Sequence, residues 1–103
     1  MIEILDNDLS ICDNEECYLL FYFTAKWCGP CQRIKPLLEK ISEGADISKL
    51  KIYMIDIDEN DKIAEEFNIK SVPTFYLYKT KKIVGQTGGG DIKKVQELLK
   101  LMK

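Results

Sequence analysis

The sequence predicts an α/β fold in which a mixed central sheet of about five strands is flanked by about four helices. Two apolar runs without alternation, Cys17–Thr24 and Lys51–Asp58, are typical of strands that are covered on both faces. A stretch with helical periodicity follows each run, which is the order expected of a parallel sheet. Near the end of the chain, two further strands flank the polar turn Lys79–Lys82, which indicates an antiparallel hairpin.

The first elements of this fold are short. Residues 2–5 alternate weakly between apolar and polar types and predict a first strand. Asp6 or Asp8 then caps a helix whose apolar side carries Leu9 and Cys12.

The strand Cys17–Thr24 leads into a longer helix that runs to about Glu43. Pro36 lies inside this helix, where it removes one hydrogen bond, and because the apolar pattern continues beyond it we expect a kink rather than a stop. The apolar residues that recur at helical spacing and predict one buried stripe are Ile34, Leu37, Leu38 and Ile41.

The second half of the chain repeats the pattern. After Lys51–Asp58, either Asn60 or Asp58 opens a short helix that runs through Phe67. The hairpin pairs Thr74–Tyr78 with Ile83–Thr87. Asp91 caps a last helix, whose apolar face is formed by Ile92, Val95, Leu98, Leu99 and Met102.

Composition limits both the size of the fold and the class of function. The 103 residues suffice for one domain, residues 1–103, with a single core. Fifteen basic and 17 acidic residues are interspersed, so no basic surface predicts nucleic-acid binding. Histidine is absent, which excludes Ser-His and Cys-His hydrolases. No apolar run has the length of a signal peptide or a membrane span, so we expect a cytoplasmic protein that does not bind membranes.

A dithiol lies between the strand Cys17–Thr24 and the helix that follows it. Cys28 and Cys31 are separated by Gly29 and Pro30, which keep the turn short and stiff, although a generic loop-to-helix turn could use the same residues. A helix N-terminus stabilises negative charge, and the thiolate is the form that attacks disulfides. The spacing alone therefore predicts a redox-capable dithiol.

The pentapeptide Trp27–Cys31, Pro36 in the following helix, and Val72–Thr74 before a later strand together resemble the thioredoxin family along the whole chain. The resemblance implies a thiol-disulfide oxidoreductase that reduces protein disulfides through a reversible Cys28–Cys31 disulfide, with no other cofactor. It implies that Cys28 is the exposed attacking thiol and Cys31 the buried resolving thiol. The implied partners are disulfide-containing proteins and a thioredoxin reductase, and the protein acts as a monomer.

The resemblance also assigns residues around the dithiol. Pro73 corresponds to the family's cis-proline, and Trp27, Val72, Pro73 and Gly89 form a flat rim that binds the substrate chain. A buried core position is the alternative for Trp27. Asp58 corresponds to the acid that holds the tryptophan N–H, and a helix cap is an equally good interpretation of it.

The sequence departs from the family pattern at two positions. Tyr22 stands where many members carry a buried aspartate that moves a proton, and Met54 stands where bacterial members carry its lysine partner. The absence of both the aspartate and the lysine is physically consistent, because either buried charge without its partner would destabilise the fold. We hypothesise that the Tyr22 hydroxyl or water assists proton removal from Cys31. In the alternative, Tyr22 fills only core space.

Three other functions are compatible with these residues. Four cysteines could hold a metal or an iron–sulfur cluster, although the spacing of Cys12 and Cys17 does not match a metal knuckle. An oxidase or isomerase would be expected to carry His within the motif. A thioredoxin-like interaction module without turnover is a third possibility. Cys12 and Cys17 are interpreted as small buried hydrophobes, with a regulatory disulfide between them as the alternative.

Overall fold

A five-stranded mixed sheet forms the centre of the computed structural model, which describes residues 2–4, 16–46 and 48–102. The strands are β1 Ile2–Ile4, β2 Tyr18–Thr24, β3 Leu50–Asp56, β4 Thr74–Lys79 and β5 Lys82–Gly88. The helices of the described part are α1 Gly29–Gly44, α2 Asp61–Glu66 and α3 Ile92–Leu99. The strand order is β1-β3-β2-β4-β5, with β1, β3 and β2 parallel and with β4 and β5 antiparallel to their neighbours. The predicted mixed α/β sheet is therefore confirmed.

Strand β2 is the centre of the core. All seven of its residues are buried, as its unbroken apolar run predicts. Because alternate residues of a strand point to opposite faces, β2 contributes to two separate cores. The first core, towards α1 and α3, includes Leu20, Tyr22, Ile34, Leu38, Phe75, Leu77, Val95 and Leu98. The second core, around α2, includes Leu19, Phe21, Phe23, Tyr53, Ile55 and Ile63.

Helix α1 continues through Pro36 for 16 residues, as the apolar pattern predicts. Its buried residues are Cys31, Ile34, Leu38 and Ser42, and Ile41 is half-buried. The prediction that Leu37 belongs to this stripe is wrong, because Leu37 is 39% exposed. At about 100° per residue, Leu37 lies roughly a quarter turn away from the centre of the stripe.

Strand β3 is shorter than predicted and ends at Asp56. The Oδ1 atom of Asp56 accepts the main-chain N–H of Asp58 at 2.9 Å, and its carbonyl oxygen accepts the N–H of Asn60 at 2.9 Å. Such a local turn competes with the sheet for the same main-chain groups. Asn60 precedes α2, but its side chain makes no capping hydrogen bond and donates to the carbonyl of Asp56 at 2.9 Å.

The C-terminal elements follow the prediction closely. Thr80 and Lys81, which join β4 to β5, have φ angles of 49° and 66°, as a tight two-residue hairpin turn requires. Asp91 caps α3, because its Oδ1 atom accepts the N–H of Lys93 at 2.9 Å. Val95 and Leu98 of α3 are buried against the first core.

Two predictions concern the segment before β2. The predicted helix with Leu9 and Cys12 lies outside the described residues, so the fourth helix stays a prediction. Cys17 is buried in the second core, as a small hydrophobe would be. A regulatory disulfide between Cys12 and Cys17 stays untested.

Candidate active site

Cys28 and Cys31 lie where β2 gives way to α1. Cys28 is the N-cap of α1, Gly29 is its first residue, and Pro30 occupies the first turn, where a missing N–H leaves no intrahelical bond unmade. The carbonyl oxygen of Ala25 holds this turn in place. It accepts the N–H of Cys28 at 3.2 Å and the Nε2 amide of Gln32 at 3.0 Å.

The two cysteines form a disulfide with their Cα atoms 5.3 Å apart. The main-chain N–H of Cys31 donates to the sulfur of Cys28 at 3.2 Å. Cys31 is completely buried and Cys28 is 4% exposed. The predicted order of exposure is therefore right, but an exposed Cys28 is wrong for this oxidised form, because the surrounding loops cover its sulfur.

Three further loop residues meet at the dithiol. The Val72–Pro73 peptide bond is cis, as predicted, and the carbonyl oxygen of Val72 lies 3.6 Å from the sulfur of Cys28. Gly89 has a φ of 90°, which favours glycine, and its N–H donates to the carbonyl of Pro73 at 3.0 Å. The structure thus brings Val72, Pro73 and Gly89 together beside Cys28.

Trp27 and Asp58 form the other side of the site. Trp27 is 69% exposed, so the alternative of a buried core tryptophan is wrong. Its Nε1–H donates to Oδ2 of Asp58 at 2.9 Å, which is the predicted contact. The N-cap of α2 is Asn60, so Asp58 does not cap that helix. Asp58 is exposed within the β3–α2 loop.

An ion pair links the same two loops. The Nζ atom of Lys26 lies 3.2 Å from Oε1 of Glu59. The side chains are 82% and 60% exposed, so solvent screens this pair and its contribution to stability is small. Glu59 raises the pKa of Lys26 through this hydrogen bond and its charge.

Tyr22 lies beneath the dithiol, but its hydroxyl contacts main chain rather than sulfur. The hydroxyl donates to the carbonyl oxygen of Cys31 at 2.5 Å, and the ring stacks on Phe75 at a centroid distance of 5.4 Å. Burial raises the pKa of Tyr22, and a hydrogen bond with Thr24 opposes that shift to a smaller extent. The side chain is therefore held as a neutral donor. Met54, its neighbour on β3, is half-buried and packs against the same core.

Two contacts at this site were not predicted from the sequence. The side chain of Gln32 braces the turn before the motif, and no sequence signal distinguishes it from other polar helix residues. A Cβ atom on Gly90 would lie 3.2 Å from Cβ of Pro30, so the loop after β5 packs directly on the motif. The glycine run 88–90 is a sequence signal for such a close approach.

The described residues contain neither a cluster of metal-ligand side chains nor a helix that could cross a membrane. Within residues 2–4, 16–46 and 48–102, no three His, Cys, Asp or Glu side chains are grouped to hold a metal ion. Over the same ranges, none of the helices combines the length and the apolar character that crossing a bilayer requires.

Comparison with known proteins gives a consistent family assignment. The family model described as Thioredoxin matches residues 6–103. A thioredoxin of Malassezia sympodialis is 40% identical over 74 residues, which cover 72% of this chain and 70% of the relative. One from Geodia cydonium is 42% identical over 78 residues, covering 75% and 71%. A crystal structure of Malassezia sympodialis thioredoxin superposes with a TM-score of 0.90 at 29% identity, covering 98% of this chain and 92% of that chain.

The hydrogen bond between Trp27 and Asp58 generates a direct test. Because Trp27 is the single tryptophan, its time-resolved fluorescence anisotropy reports the mobility of one side chain. We expect Asp58→Ala to increase the fast-motion amplitude of Trp27, since the acceptor of its N–H is lost. Asp58→Asn, which keeps an acceptor oxygen, and Asp61→Ala, which changes a nearby charge, should leave it unchanged. An unchanged amplitude in Asp58→Ala would contradict the contact.

Proposed function

Because the chain belongs to the thioredoxin family and catalyses thiol–disulfide exchange, we propose that it is a protein-disulfide reductase in which Cys28 attacks and Cys31 resolves. The observation that carries this assignment is the hydrogen bond from the N–H of Cys31 to the sulfur of Cys28 at the N-cap of α1. In the reduced protein, the same N–H and the helix dipole stabilise a thiolate on Cys28. Cys31, which is completely buried, is protected from external disulfides.

The reaction takes place in two exchanges. The Cys28 thiolate attacks one sulfur of a substrate disulfide, forms a mixed disulfide, and releases the other substrate sulfur as a thiolate. Cys31 then loses its proton and attacks the sulfur of Cys28. This step releases the second substrate thiolate and forms the Cys28–Cys31 disulfide. The substrate gains two electrons, and a reductase must return two electrons to the protein.

The rim supplies substrate binding in this proposal. The carbonyl of Val72, which precedes Pro73, lies 3.6 Å from the sulfur of Cys28, and an extended substrate chain pairs with it there. Val72, Pro73 and Gly89 form one edge of the rim, and the exposed Trp27 forms the other. Recognition through main-chain hydrogen bonds suits an exchanger that acts on more than one protein.

Tyr22 is a positioning residue in this proposal, and water takes the proton from Cys31. The hydroxyl of Tyr22 already donates a hydrogen bond to the carbonyl of Cys31, and the burial of the ring favours the neutral form. A group of this kind is a poor base near pH 7. Its contribution is to fix the main chain of Cys31 against β2, so that the resolving sulfur stays in reach of Cys28.

The remaining assignments concern cellular context. We propose that a thioredoxin reductase recycles the protein. The protein then acts as a cytoplasmic monomer that carries electrons in redox homeostasis. It binds neither nucleic acid nor membranes. A net charge of −2 with interspersed signs supports the absence of nucleic-acid binding. The Cys28–Cys31 pair carries the two electrons in its dithiol form and gives them up when it becomes a disulfide, so no further cofactor is needed.

A coupled assay tests the function. With NADPH and a thioredoxin reductase, we expect the protein to reduce insulin disulfides catalytically, and both Cys28→Ser and Cys31→Ser to abolish turnover. Cys31→Ser alone should accumulate a stable mixed disulfide with the substrate, visible by non-reducing gel and mass spectrometry, since Cys28 remains able to attack. Cys17→Ser is the matched control and should keep turnover. Absence of turnover in the unmodified protein would overturn the reductase assignment.

The role of Tyr22 is tested at the second exchange. We expect Tyr22→Phe to lower the free energy of unfolding by about 1 kcal/mol, because a buried carbonyl loses a donor, and to leave the pH dependence of resolution unchanged. Stopped-flow release of a chromophoric thiol from Cys28 measures the resolution rate. Tyr76→Phe removes a comparable hydroxyl bond, to the carbonyl of Phe67, and serves as the control. If the pH profile of the resolution rate loses an inflection in Tyr22→Phe but keeps it in Tyr76→Phe, Tyr22 is the base.

A further inference from the structure

A groove of about 320 Å³ borders the rim beside Cys28. Its residues come from the α2–β4 loop, from β4 and from the end of β5. Its lining includes Ser71, directly before Val72, whose carbonyl oxygen is 3.6 Å from the sulfur of Cys28. It also includes Gly88, directly before Gly89 of the rim. A substrate chain held at the rim therefore passes close to this groove.

Two hydroxyl groups fix the groove in shape. The Oγ1 hydroxyl of Thr74 donates to the carbonyl of Ser71 at 2.6 Å. The hydroxyl of Tyr76 donates to the carbonyl of Phe67 at 3.2 Å. Both bonds tie the loop after α2 to β4, so the walls are in place before a ligand arrives and little ordering is needed on binding.

The charge of the groove selects the ligand. Lys70 supplies an ammonium group, and Ser71, Gln86 and Thr87 supply further hydrogen-bond donors. The described residues that line the groove include no carboxylate. Acidic groups lie instead in the β3–α2 loop, where Asp58 binds Trp27. The groove is therefore positively charged, whereas the β3–α2 loop is negatively charged.

We propose that this groove is a subsite for an acidic side chain of the substrate, located within a few residues of the cysteine that Cys28 attacks. Lys70 precedes Val72 by two residues, which span at most about 7 Å, and an extended substrate covers that length in about two residues. A Glu or Asp there accepts a charge-assisted hydrogen bond from the ammonium of Lys70. This inference rests on the proposed function, because it concerns which disulfides the same dithiol reduces.

The test uses peptide disulfides that differ at one position. Each carries Glu, Gln or Lys at one, two or three residues on either side of the cysteine, and the rate constant for its reduction by the pre-reduced protein is measured. An exposed ion pair contributes up to about 1 kcal/mol, so we expect Glu to exceed Gln by about threefold to fivefold at one of these positions. High salt should remove the difference.

Variants at Lys70 then separate this subsite from general charge effects. Lys70→Gln should abolish the preference for Glu over Gln, and Lys70→Glu should favour the Lys peptide. Lys40→Gln makes the same charge change on the exposed side of α1 and should keep the preference. Equal rates for Glu and Gln, or a preference that survives in Lys70→Gln, would overturn the subsite while reduction of the Gln peptide still supports the reductase. If the unmodified protein reduces none of the peptides, the proposed function itself fails.

Discussion

The hydrogen bond from the N–H of Cys31 to the sulfur of Cys28 ties the chemistry of this protein to the first turn of one helix. The first N–H groups of a helix have no partners within it, so a sulfur at the N-cap satisfies one of them and gains the favourable end of the dipole. Cys28 is held there from both sides. The buried strand β2 leads the chain to Ala25, and Pro30 occupies the first turn of the helix without an N–H that would need a partner.

The same placement explains why the site is assembled from distant segments. Cys28 ends up at the carboxyl edge of β2, where α/β sheets leave a crevice between their loops. The loop before β4 brings Val72 to 3.6 Å from the sulfur, and the loop after β5 packs Gly90 on Pro30. These loops leave Cys28 only 4% exposed in the disulfide form. Reactivity at this site therefore depends on a narrow approach, which suits an extended substrate chain.

Much of this arrangement could be predicted from the chain alone, because it follows from local chemistry. The unbroken apolar run of β2 predicted its burial on both faces, and Asp91 predicted the start of α3. Leu37 was wrongly assigned to the buried stripe because the apolar residues of α1 cover a wider arc of the helix surface than the arc that is buried. The end of β3 was misplaced because the turn at Asp56 depends on hydrogen bonds that apolar patterning does not encode. The contact of Tyr22 with the carbonyl of Cys31 required the packing of α1 on β2, which no single segment specifies.

The N-terminus of α1 makes Cys28 reactive by stabilising its thiolate, whereas burial prevents Cys31 from reacting with external reagents. The most direct measurement is the rate of iodoacetamide modification of each cysteine in the fully reduced protein between pH 5 and 10, resolved by peptide mass spectrometry. The account predicts that Cys28 reacts first, with a midpoint below the ordinary cysteine pKa of about 8.5, and that Cys31 stays unmodified in the folded protein. A Cys28 midpoint at or above that value, or modification of Cys31 at an equal rate, would contradict it.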